Sequence, residues 1–180
     1  ALMGQGDYIS AAVLLKYPSS VDYKDAKQLL LECTSRDTYL EAVSAFNAKK
    51  FFTAYNLFKK IIGYKDAQNY ADRCIQNKPS NGELYHNNSY YQAQSEFTII
   101  SKMSKSIYIK IYSGATLVST IFINGAGSVK IALPNGSYKV KEAYGDKWFG
   151  TEEMFGENGN YKILTFNSSE TYMFSNGMYE

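Results

Sequence analysis

Tyr23-Lys24-Asp25-Ala26 returns as Tyr64-Lys65-Asp66-Ala67, a shift of 41 residues. A cysteine stands ten positions after each tyrosine, Cys33 and then Cys74. Upstream, Tyr8-Ile9-Ser10-Ala11 with Leu14 and Leu15 matches Phe51-Phe52-Thr53-Ala54 with Leu57 and Phe58, at a shift of 43. The two-residue difference falls at Tyr17-Pro18-Ser19-Ser20, where a loop is expected to absorb it. Repeats of this length mark helical hairpins that hide their apolar faces against one another. Ala11, Ala26, Ala54 and Ala67 are small residues where helices approach closely, with Tyr and Phe filling the gaps between them. Asp25 and Asp66 begin helices, where their charge suits the partial positive charge of the N-terminus. Residues 1–7 correspond to 44–50, so the chain opens inside a repeat, and a longer protein with repeats or an anchor upstream is expected.

Outward from the repeat, two kinds of periodicity divide the chain. Through residue 78 apolar residues recur at three and four: Tyr39, Val43 and Phe46, then Phe51, Ala54, Leu57, Phe58 and Ile61. From about residue 97 the period is two. Ile107, Ile109 and Ile111 face one way while Tyr108, Lys110 and Tyr112 face the other, and Val129, Ile131 and Leu133 repeat the pattern. Strands are expected near 97–101, 106–113, 117–124, 128–133, 137–144, 160–166 and 170–175. Asn124-Gly125-Ala126-Gly127 and Pro134-Asn135-Gly136 supply hairpin-type turns. Asn77-Lys78-Pro79-Ser80-Asn81-Gly82 and the Tyr-rich run to Glu96 have turn formers without an apolar face, the chemistry of a linker. The expected architecture is α+β in two domains: helical-hairpin repeats over 1–77, a linker over 78–96, and an antiparallel β-sandwich over 97–180.

The helical half resembles the tetratricopeptide-like (TPR-like) repeats of bacterial proteins, in a variant whose second helix ends in a Tyr-Lys-Asp-Ala/Ser turn. The strand-turn-strand of 128–144 resembles small prealbumin-like or carboxypeptidase-regulatory-like β-sandwich modules. Pro134-Asn135-Gly136-Ser137-Tyr138, Ala143-Tyr144-Gly145-Asp146-Lys147-Trp148-Phe149-Gly150 and Phe155-Gly156 are similar to the C-terminal domain of uncharacterised secreted or membrane-anchored proteins of Gram-positive anaerobes. That resemblance implies an extracytoplasmic, cell-surface location, with an anchor in a missing N-terminal segment. It brings no activity. In such sequences further strands follow the motif. A missing final strand here would leave an open sheet edge able to pair with another chain.

Composition excludes several classes. Lys+Arg number 19 and Asp+Glu 17, a net charge of +2, and neither half concentrates enough charge for a nucleic-acid footprint. No run of apolar residues reaches the length of a membrane span. One His and two Cys leave few metal sites or nucleophile–base pairs, so no metal, no cofactor and no catalytic residue is expected. The unusual count is aromatic, Tyr 17 and Phe 10 beside a single Trp.

Each chemical candidate has a plainer reading. Cys33 and Cys74 read as small packing residues, since equivalent points of stacked helices lie roughly 10 Å apart, beyond the ~7 Å Cα limit of a disulfide. His86, among Tyr85, Asn87 and Asn88, has no ligand cluster around it. Glu152, Glu153 and Glu157 offer a glycosidase-like carboxylate set but read as a solvated loop. Trp148 with Phe149 and Phe155 could stack on a sugar, yet one Trp in a small β domain is more often core. The expected function is a non-catalytic protein-interaction or scaffold module, with a protein or peptide partner recognised in the repeat groove. The alternative is a polysaccharide-binding module built on Trp148. The binding residues expected are Tyr8, Tyr39 and Tyr55 on the helical side and Trp148, Phe149 and Phe155 on the sheet side.

Overall fold

In the computed structural model, four helices come first: α1 (Tyr8–Ser20), α2 (Ala26–Asn47), α3 (Phe51–Lys60) and α4 (Ala67–Cys74). A mostly antiparallel β region follows, making the chain α+β. Residues 2–21, 23–92, 95–164, 172–175 and 178–179 are described, the last two stretches as backbone only. The chain divides into two compact units, Ala1–Ile75 and Gln76–Glu180. Gln76 already belongs to the second, where its N–H donates to the Trp148 carbonyl.

The sequence repeat is also a repeat of backbone conformation. Lys24 and Lys65 both stand in the left-handed region, at φ +46° and +47°. Each is followed by a helix-starting aspartate of similar geometry, Asp25 at φ −91°, ψ 13° and Asp66 at φ −99°, ψ 23°. The turns close alike: Ala26 N–H donates to the Tyr23 carbonyl and Ala67 N–H to the Tyr64 carbonyl, each at 3.1 Å. A left-handed lysine costs roughly 1–2 kcal/mol. The turn carries its ammonium back over tyrosine rings: Lys24 lies 4.9 Å from the Tyr23 centroid, and Lys65 lies 5.0 Å from that of Tyr64.

The likeness extends upstream. Gly6 and Lys49 are both left-handed, at φ +80° and +59°. The helix-starting residues after them, Asp7 (φ −85°, ψ 74°) and Lys50 (φ −84°, ψ 73°), are nearly superposable in backbone angles. Asp7 N–H reaches the Leu2 carbonyl as Lys50 N–H reaches that of Ala45. Residues 2–7 therefore enter α1 along the path by which the end of α2 enters α3.

One expectation about the repeat is corrected. The two extra residues near Pro18 lie within α1 and not in a loop, so α1 has 13 residues against 10 for α3. Pro18 lacks only a donor near the helix end, and Ser19 and Ser20 hydroxyls cap the carbonyls of Lys16 and Tyr17. Ala11, Ala26, Ala54 and Ala67 are all buried, as close helix approach requires. Ala42, Ala54, Phe58, Tyr64 and Ala71 centre the helical core, wholly removed from solvent.

The β unit contains β1 (Gly82–His86), β2 (Ser95–Ser101), β3 (Ser106–Ser113), β4 (Thr116–Ile123), β5 (Gly127–Leu133), β6 (Gly136–Gly145), β7 (Asn160–Ile163), β8 (Tyr172–Ser175) and β9 (Met178–Tyr179). The large sheet runs β1-β4-β3-β6-β8-β9, with β7 also on β6, and β2 pairs with β5 in a separate ladder. Among the described residues the strands thus divide seven to two, not into two comparable facing sheets. Within the expected strands, 165–166 and 170–171 lie outside the described residues. β1 falls in the stretch read as a linker; its Gly82–His86 backbone pairs with β4.

Alternation on β3 sorts its residues between two clusters. Ile107, Ile109 and Ile111 pack with Val118, Ile121 and Ile123 of β4 and with Val129, Ile131 and Leu133 of β5. Tyr108 points to the other face, onto Phe122, Trp148 and Phe155. Gly145 is required there, because a Cβ would stand 2.7 Å from the Phe155 Cβ. The centre of the sheet is buried on both faces.

Candidate functional site

Of the six residues expected to bind a partner, three are buried and Tyr8, Tyr39 and Tyr55 are half-buried. Trp148, Phe149 and Phe155 are 3%, 3% and 2% exposed. The indole meets Tyr108 and Phe122 edge-on, at centroid separations of 5.2 and 5.0 Å, and offers no ring face to a sugar. Tyr8 is half-buried beneath the Arg36 guanidinium, 4.9 Å from its ring centroid. Tyr55 packs half-buried against the helical core. Tyr39 stands edge-on to Phe58 and Tyr64, and its hydroxyl donates to the Asp66 carboxylate. Asp66 makes no side-chain cap bond at the start of α4, so that carboxylate ties α2 to the turn.

That bond has a pH signature. The hydrogen bond to Asp66, with desolvation, pushes the Tyr39 phenol from 10.0 up to about 12. A phenol whose pKa is raised on folding contributes stability that is complete below pH 10 and lost as the pH rises toward 12. Burial raises the Tyr64 phenol in the same direction. Denaturant unfolding at pH 9 and pH 11.5 should therefore show an alkaline loss in the helical unit. Tyr39→Phe should lower stability at pH 9 and reduce the further loss at pH 11.5; an undiminished alkaline loss would contradict the assignment.

The single histidine has a carboxylate beside it. His86 Nδ1 lies 2.8 Å from Glu83 Oε1, and the Ser119 hydroxyl donates to the same oxygen. Serine and histidine thus share a carboxylate, with the serine fully buried, whereas nucleophilic catalysis needs the serine bonded to the histidine. Glu152 and Glu153 lie on the four-residue helix α5 (Gly150–Glu153). Cys33 and Cys74 are free thiols, the first half-buried and the second buried. Among the described residues no cluster of His, Cys, Asp and Glu could hold a metal, and no helix is long and apolar enough to cross a membrane.

Two surfaces stand out among the described residues, beside a wider polar hollow of about 750 Å³ lined by Glu83, His86, Glu96 and Lys130; neither carries a mark in the sequence. The first is the outer face of α1, where Ile9 is 83% exposed, Leu14 68% and Tyr17 76%. Of its repeat equivalents, Phe52 (for Ile9) and Leu57 (for Leu14) are half-buried, with Leu57 on the helical core, whereas Lys60 (for Tyr17) is exposed; beyond the helix, Tyr64, matching Tyr23, is fully buried. Tyr23 itself is 56% exposed. The cover in the second repeat comes from Tyr39, Val43 and Phe46 of α2. An exposed leucine in a helix carries no sequence mark that separates it from a buried one; only the comparison of equivalent positions in space does.

The second surface is a cleft of about 420 Å³ on the β unit, over β3, β6 and β7. Lys110 and Lys141 line it with Tyr112, Met154 and Tyr161. The alternation of β3 already placed Tyr108, Lys110 and Tyr112 on one face. Which strand lies beside them is a matter of register across 30 residues, and sequence carries no signal for it.

No family model, curated protein or solved structure matches this chain. These comparisons lend no support to the resemblances to TPR-like repeats and to the C-terminal domain of secreted or membrane-anchored proteins.

Proposed function

We propose that this chain is a non-catalytic interaction and scaffold module of an extracytoplasmic bacterial protein. In this reading TPR-like repeats over 1–77 precede a β-sandwich-type domain over 97–180. The observation that carries it is the exposure of Ile9 and Leu14 on α1 against the half-buried Phe52 and Leu57 at the same positions of α3. Stacked repeats bury equivalent faces against neighbouring helices, and an exposed apolar stripe of this kind marks an interaction surface. The backbone likeness of 2–7 to 45–50 favours as occupant a helix of the α2 type, presenting an aromatic and β-branched face like Tyr39, Val43 and Phe46. The sharing of Glu83 by Ser119 and His86 supports the non-catalytic part, and the extracytoplasmic part is supported by the resemblance of the 134–156 string.

A peptide of residues 34–49 tests the occupant. Added to the whole chain, it should cause saturable NMR shifts in the Ile9, Val13 and Leu14 methyl groups, with a Kd on the order of 1 mM or tighter. Leu14→Asp should abolish them. Absence of saturation, or sedimentation showing that the α1 face instead pairs two copies of the chain, would overturn the reading.

A further inference from the structure

The cleft on the β unit holds an arrangement that packing does not account for. Lys110 of β3 and Lys141 of β6 are direct partners in the antiparallel register. Side chains so opposed have Cβ atoms about 4.5–5.5 Å apart, and like charges in that relation repel. The pleat puts Lys139, opposite Tyr112, on the same face. Glu142 and Lys162 also line the cleft, but their side chains alternate to the other face, where they approach to 3.3 Å. Among the described residues neither Lys110 nor Lys141 has a carboxylate within ion-pair distance. Glu152 lines an adjoining depression of about 220 Å³ that it shares with Tyr108 and Lys110.

Aromatic rings hold the two ammonium groups without neutralising them. Lys110 Nζ lies 5.5 Å from the Tyr108 centroid, and Lys141 Nζ lies 5.0 Å from that of Tyr112. A tyrosine ring attracts a cation through its π face but takes none of its three N–H donors in the manner of a carboxylate. Lys110 is half-buried in this setting, so its charge is only partly hydrated. Tyr161, 49% exposed, borders the cleft from β7, its hydroxyl anchored on the Gly156 carbonyl at 2.8 Å. The result is a concave surface with paired donors on its floor and rings at its sides, the usual composition of a small-ligand site.

We propose that this cleft binds the oxyanion of a carboxylate- or phosphate-bearing ligand between Lys110 and Lys141, with Tyr112 and Tyr161 against the adjoining part of the molecule. The site is independent of the α1 face, and either can fail without the other. Binding draws the two ammonium groups away from the rings of Tyr108 and Tyr112, four residues apart on β3, onto one oxyanion and forms two charge-assisted hydrogen bonds.

The test is an NMR titration of the whole chain at low ionic strength with sodium glucuronate, inorganic phosphate and sodium chloride as separate arms. Glucuronate or phosphate should shift Lys110, Lys141 and Tyr112 saturably, with a Kd of about 0.1–5 mM, and the arm that saturates identifies the ligand's acidic group. Lys110→Gln with Lys141→Gln should weaken binding at least tenfold, while Lys102→Gln, at an exposed lysine away from the cleft, leaves it unchanged. Lys110→Gln alone should keep or raise the melting temperature, because it relieves the like-charge pair; a marked drop would assign the lysine a structural role and count against the site. Equal shifts in all three arms, no saturation, or undiminished binding by the double variant would overturn the proposal.

Discussion

Trp148→Ala is expected to destabilise the β unit by about 3–5 kcal/mol. The indole is 3% exposed and fills the space between Tyr108, Phe122 and Phe155, with ring centroids 5.2, 5.0 and 5.2 Å away. Its removal leaves a cavity whose walls are pinned. Tyr108 and Phe122 are fixed in paired strands, and Phe155 is held against Gly145 and Gly159, where a Cβ would come within 2.7 Å of it. Sites that cannot collapse lose the most. Trp148→Phe keeps part of the ring and should cost less than the alanine variant. Urea unfolding followed by circular dichroism reads both, since the chain's single Trp is removed. A loss under about 1 kcal/mol for the alanine variant would mean that the indole is not the centre of this face. If that variant does not fold, the phenylalanine variant supplies the measurement. The wild-type emission should be that of a buried indole and should not move when polysaccharides are added.

Phe58→Ala should cost the helical unit a similar amount, about 3–5 kcal/mol. Phe58 is fully buried, stacked on Tyr70 at 4.9 Å and edge-on to Tyr39 at 5.9 Å. The informative comparison is with the first repeat. Leu15, at the position of Phe58, is half-buried, and Leu15→Ala should cost clearly less, roughly 1–2 kcal/mol. The tyrosines give a sharper contrast. Tyr64→Ala should cost several-fold more than Tyr23→Ala, because one ring is fully buried and the other 56% exposed. Equal losses at equivalent positions would show that the α1 face is covered in solution.

The Tyr-Lys-Asp-Ala turns were legible because the information in them is local. A left-handed lysine, a helix-starting aspartate and a buried alanine form one short segment, and the same segment adopts the same angles twice. The strands from 95 to 163 were legible for a related reason. Alternation is written into neighbouring residues, and Pro134-Asn135-Gly136 and Asn124-Gly125 punctuate it. β1 was not, because Gly-Glu-Leu-Tyr-His has no alternating apolar face. Three consecutive residues, Glu83, Leu84 and Tyr85, are exposed, and the segment is a strand through its backbone bonds to β4. The helical extent of α1 was missed because Pro18 and two serines imitate a loop, although the serines cap carbonyls at the helix end.

The candidate sites divide along the same line. Trp148, Phe149 and Phe155 were visible as an aromatic group, but whether they are core or surface depends on Tyr108 and Phe122, which strand pairing brings beneath them. Lys110 was visible as part of one face of β3, and Lys141 carried no mark. Thirty residues separate them, and the β3–β6 register alone makes them neighbours. By itself the sequence determined the helix-to-strand change, the repeated turn and the two faces of β3, since each depends on torsions and periodicities within a few residues. Tertiary structure decided the seven-to-two division of strands, the burial of Trp148, the exposure of α1 and the pairing of the two lysines. Those follow from which surfaces meet. Hydrophobic burial rewards many such meetings about equally per unit area, and only the folded backbone, with its hydrogen bonds and close contacts, selects among them.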